Sequence, residues 1–140
     1  MRIMREILFR GKRLDNGEWA EGSLMSVCGR NGKDDYASIR VFTYHKDGDK
    51  EWVDWEDYEV DPATVGQYTG LKDKNDRKIY EGDIISDGRR FHVKWDLRDA
   101  CWDGEMHNDP KQRLGLAFLI THKQTHIIGN IHDKGREGNQ

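Results

Sequence analysis

Asp83-Ile-Ile-Ser-Asp-Gly-Arg-Arg-Phe-His-Val-Lys-Trp95 is the stretch whose reading decides the fold. Asp87-Gly88 stands between two short runs, Asp83-Ile-Ile-Ser86 and Arg90-Phe-His-Val-Lys-Trp95. Asp-Gly favours the positive φ angles of a tight turn, so the stretch reads as a β-hairpin. In the second arm Phe91, Val93 and Trp95 alternate with Arg90, His92 and Lys94. A strand places the apolar set on one face and the basic set on the other.

The same grammar extends in both directions. Asp15-Asn16-Gly17 separates Ile7–Leu14 from Trp19–Leu24, and Asn31-Gly32, Asp47-Gly48-Asp49 and Asp103-Gly104 punctuate the rest. Tyr36–Tyr44 is rich in β-branched and aromatic residues, and Leu116–Thr121 and His126–Ile131 read as two further strands. No window holds a helical period with caps. The best helical candidate is a single turn after Asp61-Pro62, with Asp as N-cap and Pro at the first position. The fold class is therefore all-β: short antiparallel strands forming one or two small, partly open, SH3-like barrels with little helix. Residues 1–133 form one domain, with halves 1–60 and 61–133 expected to share a core. Residues 134–140 lack any apolar side chain and are expected to be a frayed, disordered tail.

Composition narrows the classes. Hydrophobic and charged residues each make up 35% of the 140 residues, so the core is thin. Five Trp, five Tyr and four Phe supply much of its apolar area. A thin core in a short chain gains stability by oligomerising, which predicts a homo-oligomer. The net charge of −3, from 23 basic and 26 acidic residues, argues against a dominant nucleic-acid field but leaves room for a local basic patch. Cys28 and Cys101 are the only cysteines and make no disulfide framework. With no apolar signal segment and no run long enough to span a bilayer, the expected location is the cytoplasm, away from membranes.

Three blocks carry a resemblance to a known family. The longest is Gln67-Tyr-Thr-Gly-Leu-Lys-Asp-Lys-Asn-Asp-Arg-Lys-Ile-Tyr-Glu-Gly-Asp-Ile84. Arg5–Arg13 with Asn16-Gly-Glu-Trp19 precedes it, and Ile128-Gly-Asn-Ile-His132 follows. Together they resemble the YopX family. The resemblance implies a phage- or prophage-encoded, mainly-β protein of barrel-like architecture. It implies no activity and carries over no catalytic residue. Two departures stand out. The family pattern commonly has Asn-Gly where this chain has Asn75-Asp76, which predicts a strained or different turn. An Asn-Pro-Glu-Leu-like terminal segment is replaced by Lys134-Gly-Arg-Glu-Gly138. Physically, Gly70 and Gly82 read as backbone turns flanking a charged hairpin tip, Lys72–Lys78.

Several residue sets invite chemistry. Cys101, His107, His122 and His126 lie in one half, and a hairpin at Lys123-Gln-Thr125 brings His122 and His126 together as a weak metal pair. The spacing lacks the paired pattern of a zinc site, and histidines flanking a turn are the plainer reading. In Trp52–Asp61, Asp54 and Glu56 share a strand face roughly 7 Å apart, with Asp57 opposite; two of the three would have to serve as an acid/base pair. The plainer reading packs the aromatics inward and turns the acids to water. Arg10, Lys12, Arg13, Arg89, Arg90 and Lys94 form a basic set beside Phe91 and Trp95, the mix of a single-strand-binding surface. Trp19, Trp95 and Trp102 read as core or interface anchors, and Cys28 as a small apolar residue.

The sequence thus predicts a non-enzymatic protein-interaction or oligomeric structural module with no cofactor, its partner a host or phage protein. A nucleic-acid-binding accessory protein is the alternative, and a metal- or carboxylate-dependent hydrolase comes third.

Overall fold

The structure is a computed structural model and describes residues 6–27, 36–121 and 124–133. It divides into two compact units, Met1–Gln67 and Tyr68–Gln140. The break falls later in the chain than the 60/61 boundary read from the sequence. Each unit has its own buried cluster.

The first unit is an antiparallel sheet of β1 (Phe9–Lys12), β2 (Trp19–Val27), β3 (Tyr36–Asp47) and β4 (Lys50–Val60). Their order is β4-β3-β2-β1, and Gly66 and Gln67, which open β5 (Gly66–Lys72), pair on the free side of β1. The Asp15-Asn16-Gly17 turn forms as expected between β1 and β2, with Asn16 Oδ1 accepting from Glu18 N at 2.9 Å. Asp47-Gly48-Asp49 likewise turns β3 into β4. Asn31-Gly32 and Cys28 lie outside the described residues.

Ala20, Ala37, Ile39 and Val60 are buried together, flanked by Phe9, Leu24, Val41, Tyr58 and Val65. The expected turn after Asp61 is a 3-10 turn, Pro62–Thr64, whose first free N–H, on Ala63, is bound by Asp61 Oδ1 at 3.0 Å. Thr64 Oγ1 accepts from Lys12 N at 2.8 Å and fixes the turn against β1.

The second unit holds β6 (Lys78–Tyr80), β7 (Asp83–Ser86), β8 (Arg90–Asp96), β9 (Cys101–Met106), β10 (Arg113–Gly115), a helix α1 (Leu116–Thr121) and β11 (His126–Asn130). The remainder of β5 pairs with β6, and the register shifts between Tyr68 and Lys72, around Gly70. The other strands form a sheet in the order β10-β9-β8-β7-β11. The hairpin at Asp87-Gly88 pairs Ser86 with Arg90, as its sequence requires. Phe91, Val93, Ile79, Ile85, Leu116 and Leu119 form the buried cluster.

Both sheets are antiparallel and open, which gives the all-β, partly open architecture expected from the sequence without a closed barrel. Closure needs a continuous ladder between the first and last strands. In the first unit, Arg13↔Val60 provides one isolated bridge instead.

Three local expectations are corrected. Leu116–Thr121 is a helix, not a strand. A short apolar run has no readable period, and here Leu116 and Leu119, three apart, are buried while Phe118 is 55% exposed. Thr125 ends the helix by donating its hydroxyl to the Leu119 carbonyl at 2.7 Å. Asp103-Gly104 is no turn but the middle of β9. A Cβ on Gly104 would sit 2.6 Å from Leu119 Cδ1 and 3.0 Å from Phe91 Cβ, so the missing side chain lets the helix lie on the sheet. Trp95, finally, is 41% exposed although Phe91 and Val93 on its strand are fully buried. It packs edge-on against Trp102, its partner across the β8–β9 pair, centroids 5.0 Å apart.

Gly104→Ala is expected to destabilise the chain by about 1–3 kcal/mol through overpacking against Leu119 and Phe91, read as a lower urea midpoint with unchanged slope. Asp76 stands at φ +63 in the β5–β6 turn, so the turn does place a non-glycine residue in the left-handed region. Asp76→Gly should raise stability by about 0.5–1 kcal/mol in the same titration, less whatever the exposed 3.7 Å ion pair with Lys72 contributes.

Candidate interaction surface

The β3–β4 register runs unbroken from Ala37↔Val60 to Asp47↔Lys50. β2 accompanies β3 only as far as Ser23↔Arg40. Beyond that rung, Val41–Asp47 and Lys50–Glu56 pair with each other alone among the described residues. The result is a two-stranded ribbon on the order of 20 Å long.

An isolated hairpin is marginal in water, so the cross-strand pairs must hold it. Phe42 faces Trp55 and Tyr44 faces Val53. His45 stacks on Trp52, with centroids 5.0 Å apart and planes at 15°, and its Nε2 lies 3.0 Å from Asp54 Oδ2. At the base Arg40 grips Asp57 with two hydrogen bonds, at 2.8 and 3.0 Å. Those bonds hold the Asp57 carboxyl below its usual range and raise the Arg40 guanidinium. The Tyr44 hydroxyl is pushed up by its hydrogen bond to Glu51 and by burial.

Alternation then sorts the two faces. The inner face starts in the core with Ile39, Val41 and Tyr58 and runs out through Thr43, Asp54, His45 and Trp52. The outer face carries Met25, Tyr36, Phe42, Tyr44, Val53 and Trp55, which are 43–60% exposed. Large aromatic side chains bordered by charge are a composition shared with protein-binding surfaces.

The expectation that the aromatics of Trp52–Asp61 pack inward therefore holds for Tyr58 and is corrected for Trp52 and Trp55. Trp52 and Trp55 are an odd number of residues apart, so one strand cannot bury both on the same side. They are 45% and 59% exposed. The acids do face water, but they are engaged separately: Asp54 by His45, Glu56 by the Tyr58 hydroxyl, Asp57 by Arg40. Asp54 and Glu56 share a face as expected, and Asp57 lies on the other.

The basic set divides between the units. In the first, the Arg10 guanidinium lies 4.2 Å and Lys12 Nζ 5.3 Å from the Trp19 ring centre, and Arg13 is bound to Asp15 at 2.7 Å while lying over Tyr58. In the second, Arg89 pairs with Asp87 at 2.8 Å and Lys94 with Glu105 at 3.0 Å. Arg90 faces Ser86 across the β7–β8 pair. The acids beside Arg13, Arg89 and Lys94 neutralise much of the charge that made the set attractive.

The metal set also takes separate partners. His126 Nδ1 lies 3.0 Å from the Gln124 carbonyl, and His107 Nδ1 lies 3.2 Å from His92 Nε2. His122 falls outside the described residues. Cys101 instead joins Asp96 and Asp103, three potential ligand atoms within 4.8 Å of one another. This grouping has a structural cause. Asp96 Oδ1 accepts from Arg98 N at 2.9 Å and Asp99 N at 3.3 Å, closing a turn in which Ala100 has φ +52. The two carboxyls then titrate together. Asp96 is lowered by its hydrogen bond with Asp103 and by those backbone N–H groups, whereas Asp103 is raised by burial and by Asp96. Burial and Asp103 also push the Cys101 thiol up, away from the reactive thiolate.

A small all-β chain with an exposed aromatic ribbon is a class of architecture, and its membership can be stated. The chain belongs to the YopX family, described as YopX protein, whose model matches residues 8–136. It is similar in fold to the crystal structure of protein EF1440 from Enterococcus faecalis, at 19% identity and a TM-score of 0.55 over 92% of this chain and 95% of that one. No curated protein matches the sequence. Among the described residues, no helix is long and apolar enough to cross a membrane.

The raised Asp103 carboxyl contributes stability when protonated and loses that contribution as pH rises through its folded value. Asp103→Asn keeps the neutral form at every pH. It should therefore be more stable than the parent in urea titrations at about pH 7, with the advantage shrinking toward about pH 4, near the ordinary carboxylate value.

Proposed function

We propose that the chain is a non-enzymatic interaction module of phage or prophage origin, acting in the cytoplasm of a bacterial host by binding protein partners and assembling through the β3–β4 ribbon. The observation that carries this is the outer face itself: Phe42, Tyr44, Val53 and Trp55, all 49–60% exposed on a ribbon with no third strand among the described residues. Exposed rings on a marginal hairpin are costly unless a partner covers them. The phage origin draws support from the family, and no reaction is needed to account for the surface.

Phe42→Ser combined with Trp55→Ser tests the reading. Capture from host lysate should recover a discrete partner set on the parent chain and lose it on the double variant, with the far-ultraviolet spectrum retained. Identical sets on both chains would refute a ribbon-borne function. Nucleic acid in the captured material at low salt, released at high salt and insensitive to the ribbon change, would favour the nucleic-acid alternative.

A further inference from the structure

We infer that the outer face of the ribbon docks onto the same face of a second copy of this chain, the two ribbons stacked face to face about a two-fold axis parallel to their length. The inference rests on the interaction-module reading and names the partner.

Its basis is the register. On the outer face the β3–β4 rungs are Arg40↔Asp57, Phe42↔Trp55, Tyr44↔Val53 and Lys46↔Glu51. Each rung joins either two apolar side chains or a cation and an anion. Both cations stand on β3 and both anions on β4, so one long side of the face is basic and the other acidic.

Two-fold axes lying in the interface have two simple directions relative to such a ribbon. An axis along the ribbon lays β3 of one copy over β4 of the other, rung by rung. Arg40 then opposes the partner's Asp57, Phe42 the partner's Trp55, Tyr44 the partner's Val53, and Lys46 the partner's Glu51. An axis across the ribbon reverses base and tip and lays β3 over β3. Arg40 then meets the partner's Lys46, and Asp57 the partner's Glu51. Opposed like charges cost affinity, so the first arrangement wins. An isologous contact of this kind is self-complementary by construction and closes at two copies.

The face also has the anatomy of an interface: an aromatic centre with a charged rim at each end. It is small beside the roughly 800 Å² per partner of a standard interface, which points to a concentration-dependent dimer of moderate affinity.

Sedimentation velocity at low salt across a concentration series tests the inference through charge reversal. The parent chain should pass from monomer to dimer as concentration rises. Arg40→Asp makes the outer rim acidic on both strands at that rung, and Asp57→Arg makes it basic on both. Each variant alone should dimerise about tenfold or more weakly, because like charges now oppose. An equimolar mixture should recover the dimer, since every acidic position of one variant meets a basic position of the other. Damage within either chain cannot be repaired by mixing, so recovery separates docking from misfolding.

A parent chain that stays monomeric at the highest attainable concentration overturns the inference. So do reversals that dimerise like the parent, or a mixture that does not recover. If the parent is monomeric yet loses its captured partners on Phe42→Ser with Trp55→Ser, the second-copy inference falls and the interaction-module reading stands. If the captured set is also unchanged, both fall.

Discussion

The second unit depends on a carboxylate with little access to water. Asp73 is 7% exposed and accepts three backbone hydrogen bonds at 2.9 Å, from Asn75, Arg77 and Ile127. The first two bonds fold the β5–β6 turn, and the third reaches across the sequence to β11. Burial alone would raise this carboxyl, but the three N–H groups together with the Arg77 charge outweigh it and leave it below its ordinary value. The contribution to stability is therefore present above the unfolded carboxylate value and lost as pH falls through the lower folded one. Lys74 N adds a bond to the Thr125 carbonyl at 3.0 Å, so turn and final strand are tied at both the side-chain and backbone level.

Asp83 does the same at the other end of the block. Only 1% exposed, it accepts from Tyr80 N at 2.7 Å and from Asn130 Nδ2 at 3.1 Å. Gly82, at φ +90, bonds Val93 through its N–H and Ile131 through its carbonyl, both at 2.9 Å, and a Cβ there would press on Asn130 at 3.4 Å. The Gln67–Ile84 and Ile128–His132 blocks that mark the family are thus two sides of one hydrogen-bonded arrangement. Asp73, Gly82, Asp83 and Asn130 are explained by the backbone and side-chain groups they satisfy, which is how these blocks specify a fold.

What was legible in the sequence follows from the same physics. Asn16-Gly17, Asp47-Gly48 and Asp87-Gly88 were readable because turn chemistry is local, and so was the capped turn at Asp61-Pro62. Leu116–Thr121 was not, because its helix exists to lay Leu116 and Leu119 on a sheet whose gap at Gly104 is a tertiary fact. Asp73 read only as part of a charged hairpin tip and Asp83 only as the start of a strand, since nothing local announces a bond to Ile127 or Asn130. The candidate surface was half visible. The aromatic richness of Tyr36–Tyr44 and Trp52–Tyr58 was visible in the sequence, but the point where β2 stops accompanying β3, which leaves a two-stranded ribbon among the described residues, is set by pairing.

That stopping point also constrains how the ribbon can associate. β4 is the outermost strand of its sheet, and an outermost strand offers unpaired backbone groups to any other chain. Yet it carries Glu51, Asp54, Glu56, Asp57 and Glu59 against a single Lys50. Two copies of β4 pairing edge to edge would line acid against acid along most of their length, and directly opposed like charges destabilise a strand pair. The edge thus guards itself, while the outer face, with its cations on β3 and its anions on β4, presents no such barrier. Negative charge is concentrated where continuous sheet formation would begin and balanced where a closed, two-copy contact can form. The distribution thus disfavours open-ended pairing through β4 and leaves the proposed face-to-face contact of two copies as the association it opposes least.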